Sequence, residues 1–190
     1  MTRTLGTHLV TQGNRSNGRE TVTVVREAIA GGIDAVQLRE KHATVSDRYE
    51  LGQQLRTITS DAGIPLIVND RVDLAVALDA DGVHLGDDDL PVTKAREQLG
   101  ADAIIGRSVS TTRAARRAEE AGADYLGVGA VFGTQTKETR ESATAIGVDI
   151  ISAIADAVSI PVVGIGGVTP ENATGVAAAG ADGVAVVTAI

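Results

Sequence analysis

Within the run Gln37-Leu38-Arg39-Glu40-Lys41, three polar side chains stand two residues apart. In an extended chain Gln37, Arg39 and Lys41 share one face, and Val36 and Leu38 share the other. Two cations and an amide on one face are expensive to desolvate unless an anion lies among them. The triplet therefore marks an anion site; the bland alternative is a solvated strand end whose cations pair with Glu40 or nearby aspartates. Further on, Asn69-Asp70 and the acidic run Asp87-Asp88-Asp89 bring hard oxygen donors. Neighbouring parallel strands lie about 4.8 Å apart, so Asp70 and one of these aspartates can share a cation. Few oxygen ligands suit Mg²⁺, which keeps waters and completes its shell with phosphate oxygens. Taken alone, the run would equally serve as the acidic first turn of a helix starting near Pro91.

A second set of residues suits an anion. Thr134-Gln135-Thr136-Lys137 places two hydroxyls and an ammonium in one short segment, and Gly127 and Gly129 before it leave room for a ring. Gly164-Ile165-Gly166-Gly167 and Val186-Val187-Thr188 suit phosphate held by backbone amides. Ser108 adds a hydroxyl donor. A lone histidine such as His84 more often sits hydrogen-bonded in a core than ligates, and His8 and His42 are equally unspecific. Arg113, Arg116, Arg117, Glu119 and Glu120 read as solvated helix faces.

The elements that must position these residues alternate. β-rich runs are expected at 5–10, 35–38, 66–68, 82–85, 103–106, 125–131, 162–165 and 183–187. Helical segments are expected near 19–30, 46–62, 72–78, 91–99, 111–121, 143–157 and 170–179, with Pro91 and Pro170 at first-turn positions. Such alternation predicts a single-domain (β/α)8 barrel over residues 1–190, with the candidate residues at the C-terminal strand ends. The chain reaches Ile190 directly after the eighth strand, so the barrel is expected to lack its eighth helix in this chain, leaving apolar surface to be covered from outside it. An open doubly wound sheet competes, but Thr11-Gln12-Gly13-Asn14 after the first strand carries no glycine-rich fingerprint. A repeat supports the barrel: Gly32-Ile33-Asp34, Ala80-Asp81, Gly122-Ala123-Asp124 and Gly180-Ala181-Asp182 precede strands two, four, six and eight. The segments 63–68 and 159–164 echo each other before strands three and seven. Half-barrel duplication would produce both patterns, although Gly-x-Asp is also a common helix-to-strand turn.

Composition bounds the function classes. A chain of 190 residues with 43% hydrophobic content supports one sizeable core. The absence of cysteine excludes disulfides, thiolate catalysis and Cys-ligated metals. A net charge of −8 with 2% aromatic residues argues against nucleic acid. No apolar run long enough for a membrane span and no signal-peptide pattern is present, so a cytoplasmic protein acting on small molecules is expected. Lysine is scarce beside Asp, Ala, Thr and Val, a composition like that of high-salt proteins. Oligomeric state is not legible, and a homo-oligomer stays open.

Taken in order, Gln37-Leu-Arg39-Glu-Lys41, Asn69-Asp70-Arg71-Val72-Asp73, Gly82-Val-His-Leu-Gly86 with Asp89, Val131-Phe-Gly-Thr134-Gln-Thr136-Lys137, Gly164-Ile-Gly-Gly167 and Val187-Thr188-Ala-Ile resemble thiamine phosphate synthase along almost the whole chain. The resemblance implies a pyrimidine methyl diphosphate held by Gln37, Arg39, Lys41, Asn69, Ser108 and Lys137, with Mg²⁺ between Asp70 and Asp89. It implies a thiazole phosphate against Thr134, Thr136, Gly167, Val187 and Thr188, with Gln135 among the substrate-binding residues. Diphosphate would depart first, and the thiazole nitrogen would capture the pyrimidine methyl cation. Arg39, Lys41 and Lys137 would neutralise the leaving group, and the loops after strands one and six would act as lids. The chain departs from the family pattern at His8, Thr11-Gln12, Gly133 and Thr188. Two other functions fit a barrel of this kind: an isomerase of the thiazole tautomerase type, for which the diphosphate residues are superfluous, and a non-catalytic phosphate-metabolite sensor.

Overall fold

The computed structural model describes residues 6–133 and 145–188. Eight strands, β1 (Thr7–Val10), β2 (Ala35–Leu38), β3 (Leu66–Asn69), β4 (Gly82–Leu85), β5 (Ile104–Val109), β6 (Tyr125–Val128), β7 (Val162–Ile165) and β8 (Gly183–Val186), form a closed parallel barrel in sequence order. Pairing of Thr7 with Val184 and of Leu9 with Val186 closes β8 onto β1. Helices α1 (Thr21–Ala30), α2 (Val45–Ala62), α3 (Val72–Ala77), α4 (Val92–Leu99), α5 (Thr112–Glu120), α6 (Asp149–Ala155) and α7 (Ala173–Ala178) alternate with the strands among the described residues. The expected barrel is present, and no helix after β8 lies within the described residues.

Both faces of most strands are buried, which explains why they read as apolar runs rather than alternating ones. Outward residues such as Val36, Leu38, Leu66 and Val68 pack with Leu55, Ile58 and Leu74 under the first helices. Val83, Leu85, Leu126 and Val128 do the same with Ile151 and Ile154 under the later ones. A small separate cluster of Val10, Tyr125, Val163 and Ala185 fills the barrel interior, joined by Ile104, Ile165 and Val187. Helix α2 starts at a capping box in which the Thr44 hydroxyl accepts from the Asp47 amide at 3.1 Å, and it ends at Gly63 with φ 70.

The Asp of the repeated Gly-x-Asp has one structural job at all four positions. Asp34, Asp81, Asp124 and Asp182 each accept, through Oδ2, the backbone N–H of the first or second residue of the preceding odd strand: Thr7 (2.7 Å), Leu66 (2.9 Å), Ile105 (2.7 Å) and Val162 (2.8 Å). Each Asp amide donates back to a carbonyl of that strand's first residues. The repeat is therefore more than a common turn: it seals the N-terminal end of the barrel once per pair of strands. Gly32, Gly122 and Gly180 precede three of these aspartates by two residues with φ between 88 and 95. Asp79 occupies the equivalent left-handed position before Asp81, with φ 48.

Several element boundaries differ from expectation. Strand β6 ends at Val128 rather than 131, and the next residue must be small, because a Cβ on Gly129 would lie 2.2 Å from the Ile165 carbonyl oxygen. Helix α6 begins at Asp149 and α7 at Ala173, later than 143 and 170. Pro91 is the residue before α4 rather than within its first turn, and Pro170 lies in a turn ahead of α7. The acidic run 87–89 precedes α4 and contributes no acid to its first turn.

Candidate active site at the C-terminal rim

Strand β2 delivers Gln37, then Arg39 and Lys41 beyond its end, toward the barrel mouth. Gln37 is buried and donates from Nε2 to Asn69 Oδ1 at 2.9 Å, so two expected substrate contacts from neighbouring strands orient one another. Arg39 Nη1 donates to Gln12 Oε1 at 2.7 Å, and the Arg39 amide donates to Thr11 Oγ1 at 3.1 Å. Lys41 Nζ lies 2.8 Å from Asp70 Oδ2. Glu40, on the opposite parity, takes neither cation in these contacts: its carboxylate accepts the Gly13 amide through both oxygens (3.0 and 2.8 Å) and lies 3.3 Å from Thr21 Oγ1. The loop after β1 is thus fastened to the end of β2.

Asp70 follows β3 in a left-handed conformation, φ 64, within a three-residue turn in which the Arg71 amide donates to the Asn69 carbonyl at 2.8 Å. Left-handed backbone is costly for a residue with a Cβ, and such strain concentrates at sites where it aims a side chain. The Asp70 amide is held in turn by the His84 carbonyl at 2.8 Å. From the next loop, Asp89 Oδ2 accepts the Gly86 amide at 2.6 Å. Burial pushes the Asp89 carboxyl above its usual range and the neighbouring Asp70 carboxyl pushes the same way, against the Gly86 amide and Lys41. The Asp70 and Asp89 carboxyls thus lie near enough to influence one another, while among the described residues no group of three or more acidic or histidine side chains that could hold a metal ion is gathered. Arg107, which sequence reasoning passed over, holds this turn by donating to the Gly86 carbonyl at 2.6 Å and pairing with Asp87 at 3.2 Å. Its parity, opposite to Ser108 on the same strand, was the available signal.

Ser108 sits on β5 with Oγ 2.9 Å from His84 Nε2, and His84 Nδ1 lies 2.9 Å from the Tyr125 hydroxyl. His84 is thus a hydrogen-bonded interior residue. The space left by Gly127 is taken by the protein's own imidazole: a Cβ there would lie 2.8 Å from His84 Cε1. Gly129, likewise, accommodates the Ile165 backbone rather than a ring of a ligand. Gly166 and Gly167 after β7 have φ 97 and 67, and a Cβ on Gly167 would lie 2.8 Å from Phe132 Cβ and 2.9 Å from the Gly133 oxygen. The loops leaving β6 and β7 meet there without side chains between them. Val187 and Thr188 follow β8, Val187 half-buried and Thr188 exposed. Thr134, Gln135, Thr136 and Lys137 lie outside the described residues. Glu119, on a solvated face, also accepts the Ser159 amide and hydroxyl at 2.7 and 2.6 Å.

Fold and rim together define a (β/α)8-barrel protein whose strand ends collect two cations and a carboxylate pair on one side and a glycine loop on the other. A family model described as thiamine monophosphate synthase matches residues 7–190, and the chain belongs to that family. Relatives named thiamine-phosphate synthase include one from Natronomonas pharaonis, 64% identical over 190 residues that cover all of this chain and 89% of the relative. Another, from Haloquadratum walsbyi, is 64% identical over all of this chain and 85% of its own length. The solved thiamine phosphate pyrophosphorylase from Pyrococcus furiosus superposes with a TM-score of 0.89 at 41% identity, covering 99% of this chain and 88% of that one.

Proposed function

We propose that the chain is a transferase that joins 4-amino-2-methyl-5-(diphosphooxymethyl)pyrimidine to 4-methyl-5-(2-phosphooxyethyl)thiazole, or its carboxylated form, giving thiamine phosphate and pyrophosphate. The observation that carries this reading is the approach of Lys41, Asp70 and Asp89 to one another on one sector of the rim in a member of this family. The bond from the pyrimidine methylene to the diphosphate oxygen breaks with its electron pair leaving on oxygen. The thiazole nitrogen lone pair then forms the new C–N bond with no proton moved; from the carboxylated form CO2 also leaves, its C–C bonding pair staying on the ring, which takes up protons from solvent. Departure of the diphosphate is limited by charge building on the leaving group, which preorganised cations stabilise. Arg39, oriented by Gln12, and Lys41 supply that charge together with Lys137, while Gln37, Asn69 and Ser108 hold the pyrimidine half. Gln135, with Thr134, Thr136, Gly167, Val187 and Thr188, receives the thiazole phosphate.

Asp70 and Asp89 are the residues that would hold Mg²⁺, and their chemistry fits: two hard oxygens, one raised in pKa beside the other, leave most of the shell to water and substrate oxygens. When bound, the ion would add positive charge against the departing diphosphate. The test is pyrophosphate release followed with each substrate alone, with both, and with both in the presence of a chelator. Release is expected only with both substrates and Mg²⁺; release from the diphosphate alone, or none under any condition, would count against the transferase. We assign the reaction to the cytoplasm; the chain's described helices include none long and apolar enough to cross a membrane.

A further inference from the structure

The interior of the barrel below the mouth holds a chain of three polar side chains. Tyr125 from β6 contacts His84 from β4, and His84 contacts Ser108 from β5, each at 2.9 Å. The rings fit because two glycines face them: a Cβ at Gly106 would lie 2.2 Å from Tyr125 Cζ and 2.5 Å from His84 Nδ1. Tyr125 is 1% exposed. Burial drives its hydroxyl far above the usual phenol range, so it keeps its proton. Among the described residues the Tyr125 hydroxyl has no hydrogen-bond partner but His84.

A buried O–H left without an acceptor forfeits a hydrogen bond, whereas an oxygen lone pair left unused is tolerated more readily. Tyr125 must therefore donate to Nδ1. That places the imidazole proton on Nε2, which then donates to Ser108 Oγ. With one lone pair of Oγ occupied by that N–H, the serine proton is directed away from the imidazole and toward the barrel mouth. We propose that Tyr125 and His84 are positioning residues that fix Ser108 as a hydrogen-bond donor to the pyrimidine diphosphate. The proposal rests on the functional reading above, which places Ser108 against that substrate. A donor fixed before the substrate arrives needs no reorganisation as negative charge grows on the leaving oxygen.

Two measurements test it. Long-range ¹⁵N–¹H correlation spectra of the free protein, with the three histidines separated through His8→Phe and His42→Gln variants, should show His84 as the Nε2–H tautomer. The Nδ1–H tautomer or an imidazolium overturns the donor order. In a kinetic cycle, Tyr125→Phe should lower kcat about three- to tenfold in the parent chain, the size of one lost hydrogen bond. It should lower kcat less than about twofold once Ser108→Ala is in place, because the tyrosine then has nothing left to orient. An equal loss in both backgrounds makes Tyr125 a structural residue only and overturns the proposal. Unchanged turnover in Ser108→Ala overturns it too, while leaving the condensation intact. No turnover by the parent chain with both substrates and Mg²⁺ removes the functional reading instead, and the tautomer still decides whether the donor order exists.

Discussion

At the scale of single residues, His8 shows what the barrel interior demands. It is 1% exposed, packs edge-on against Tyr125 at a ring separation of 5.6 Å, and its Nε2 has no hydrogen-bond partner among the described residues. Burial lowers its pKa to about 4, with Asp34 pulling weakly the other way. Between the ordinary value of 6.5 and about 4 the unfolded chain holds a proton that the folded chain refuses. Stability is therefore complete above the upper value and falls as pH drops through this window, by about 3 kcal/mol at its lower end. Urea unfolding at pH 7.5 and pH 4.5 should show that loss in the parent chain and little of it in His8→Phe, which offers an apolar ring in place of the orphaned nitrogen. Equal pH dependence in the two proteins would place the acid sensitivity elsewhere. The polar residues at the rim on and after β2, β3 and β4 were legible by type and spacing: Gln37, Arg39, Lys41, Asn69, Asp70 and Asp89. Their supports were not. Gln12, Glu40, His84 and Arg107 act on partners tens of residues away in the chain, and no local pattern encodes such a pairing.

Elements are joined by a device that repeats. One aspartate before each even strand accepts an amide from the odd strand beside it, and the four bonds span only 2.7–2.9 Å. Asp81 and Asp124 also meet Arg56 and Arg96, whereas no cation pairs with Asp182 among the described residues. Asp182→Ala therefore isolates the backbone bond. It should cost about 1–3 kcal/mol by leaving the Val162 amide unpaired at the foot of the barrel, measured as a lower urea midpoint at unchanged slope. A change below a few tenths of a kcal/mol would mean that water replaces the carboxylate there. The spacing of Gly-x-Asp was visible as a repeat in the chain, but common turns share it. Only the neighbouring strands show that the carboxylate, rather than the glycine, carries the repeated function. Strand ends were the least legible feature for a related reason. β6 stops where the Ile165 backbone presses on Gly129, a contact between segments 36 residues apart (165 minus 129).

The chain carries a net charge of −8, and among the described residues some of its ion pairs are fully at the surface, such as Lys94 with Glu97 and Arg19 with Glu27. Exposed pairs contribute little, so the long-range repulsion among surplus carboxylates is the larger salt-sensitive quantity. Raising KCl from 0.1 to 1 M shortens the screening length from about 10 to about 3 Å. A rise in Tm of a few degrees is expected by calorimetry, while a fall would show that the ion pairs outweigh the repulsion. In this acidic protein the rim sets Lys41 beside Asp70 and Asp89, while Arg39, two residues earlier, is held by Gln12.

From the order of its residues alone, this protein's class was determined. Alternating apolar periods specify a parallel barrel, and the polar residues at the ends of strands two to five stand in or just after their apolar runs, so that part of the rim could be listed from the sequence. Which rim residues touch, which way Asp70 points, and that an interior His–Tyr pair stands behind Ser108 were decided only by closure. Barrel closure brings strand ends within hydrogen-bond reach across loops of tens of residues, and the hydrogen bonds there follow from distance and direction in space, neither of which is written in any stretch of sequence.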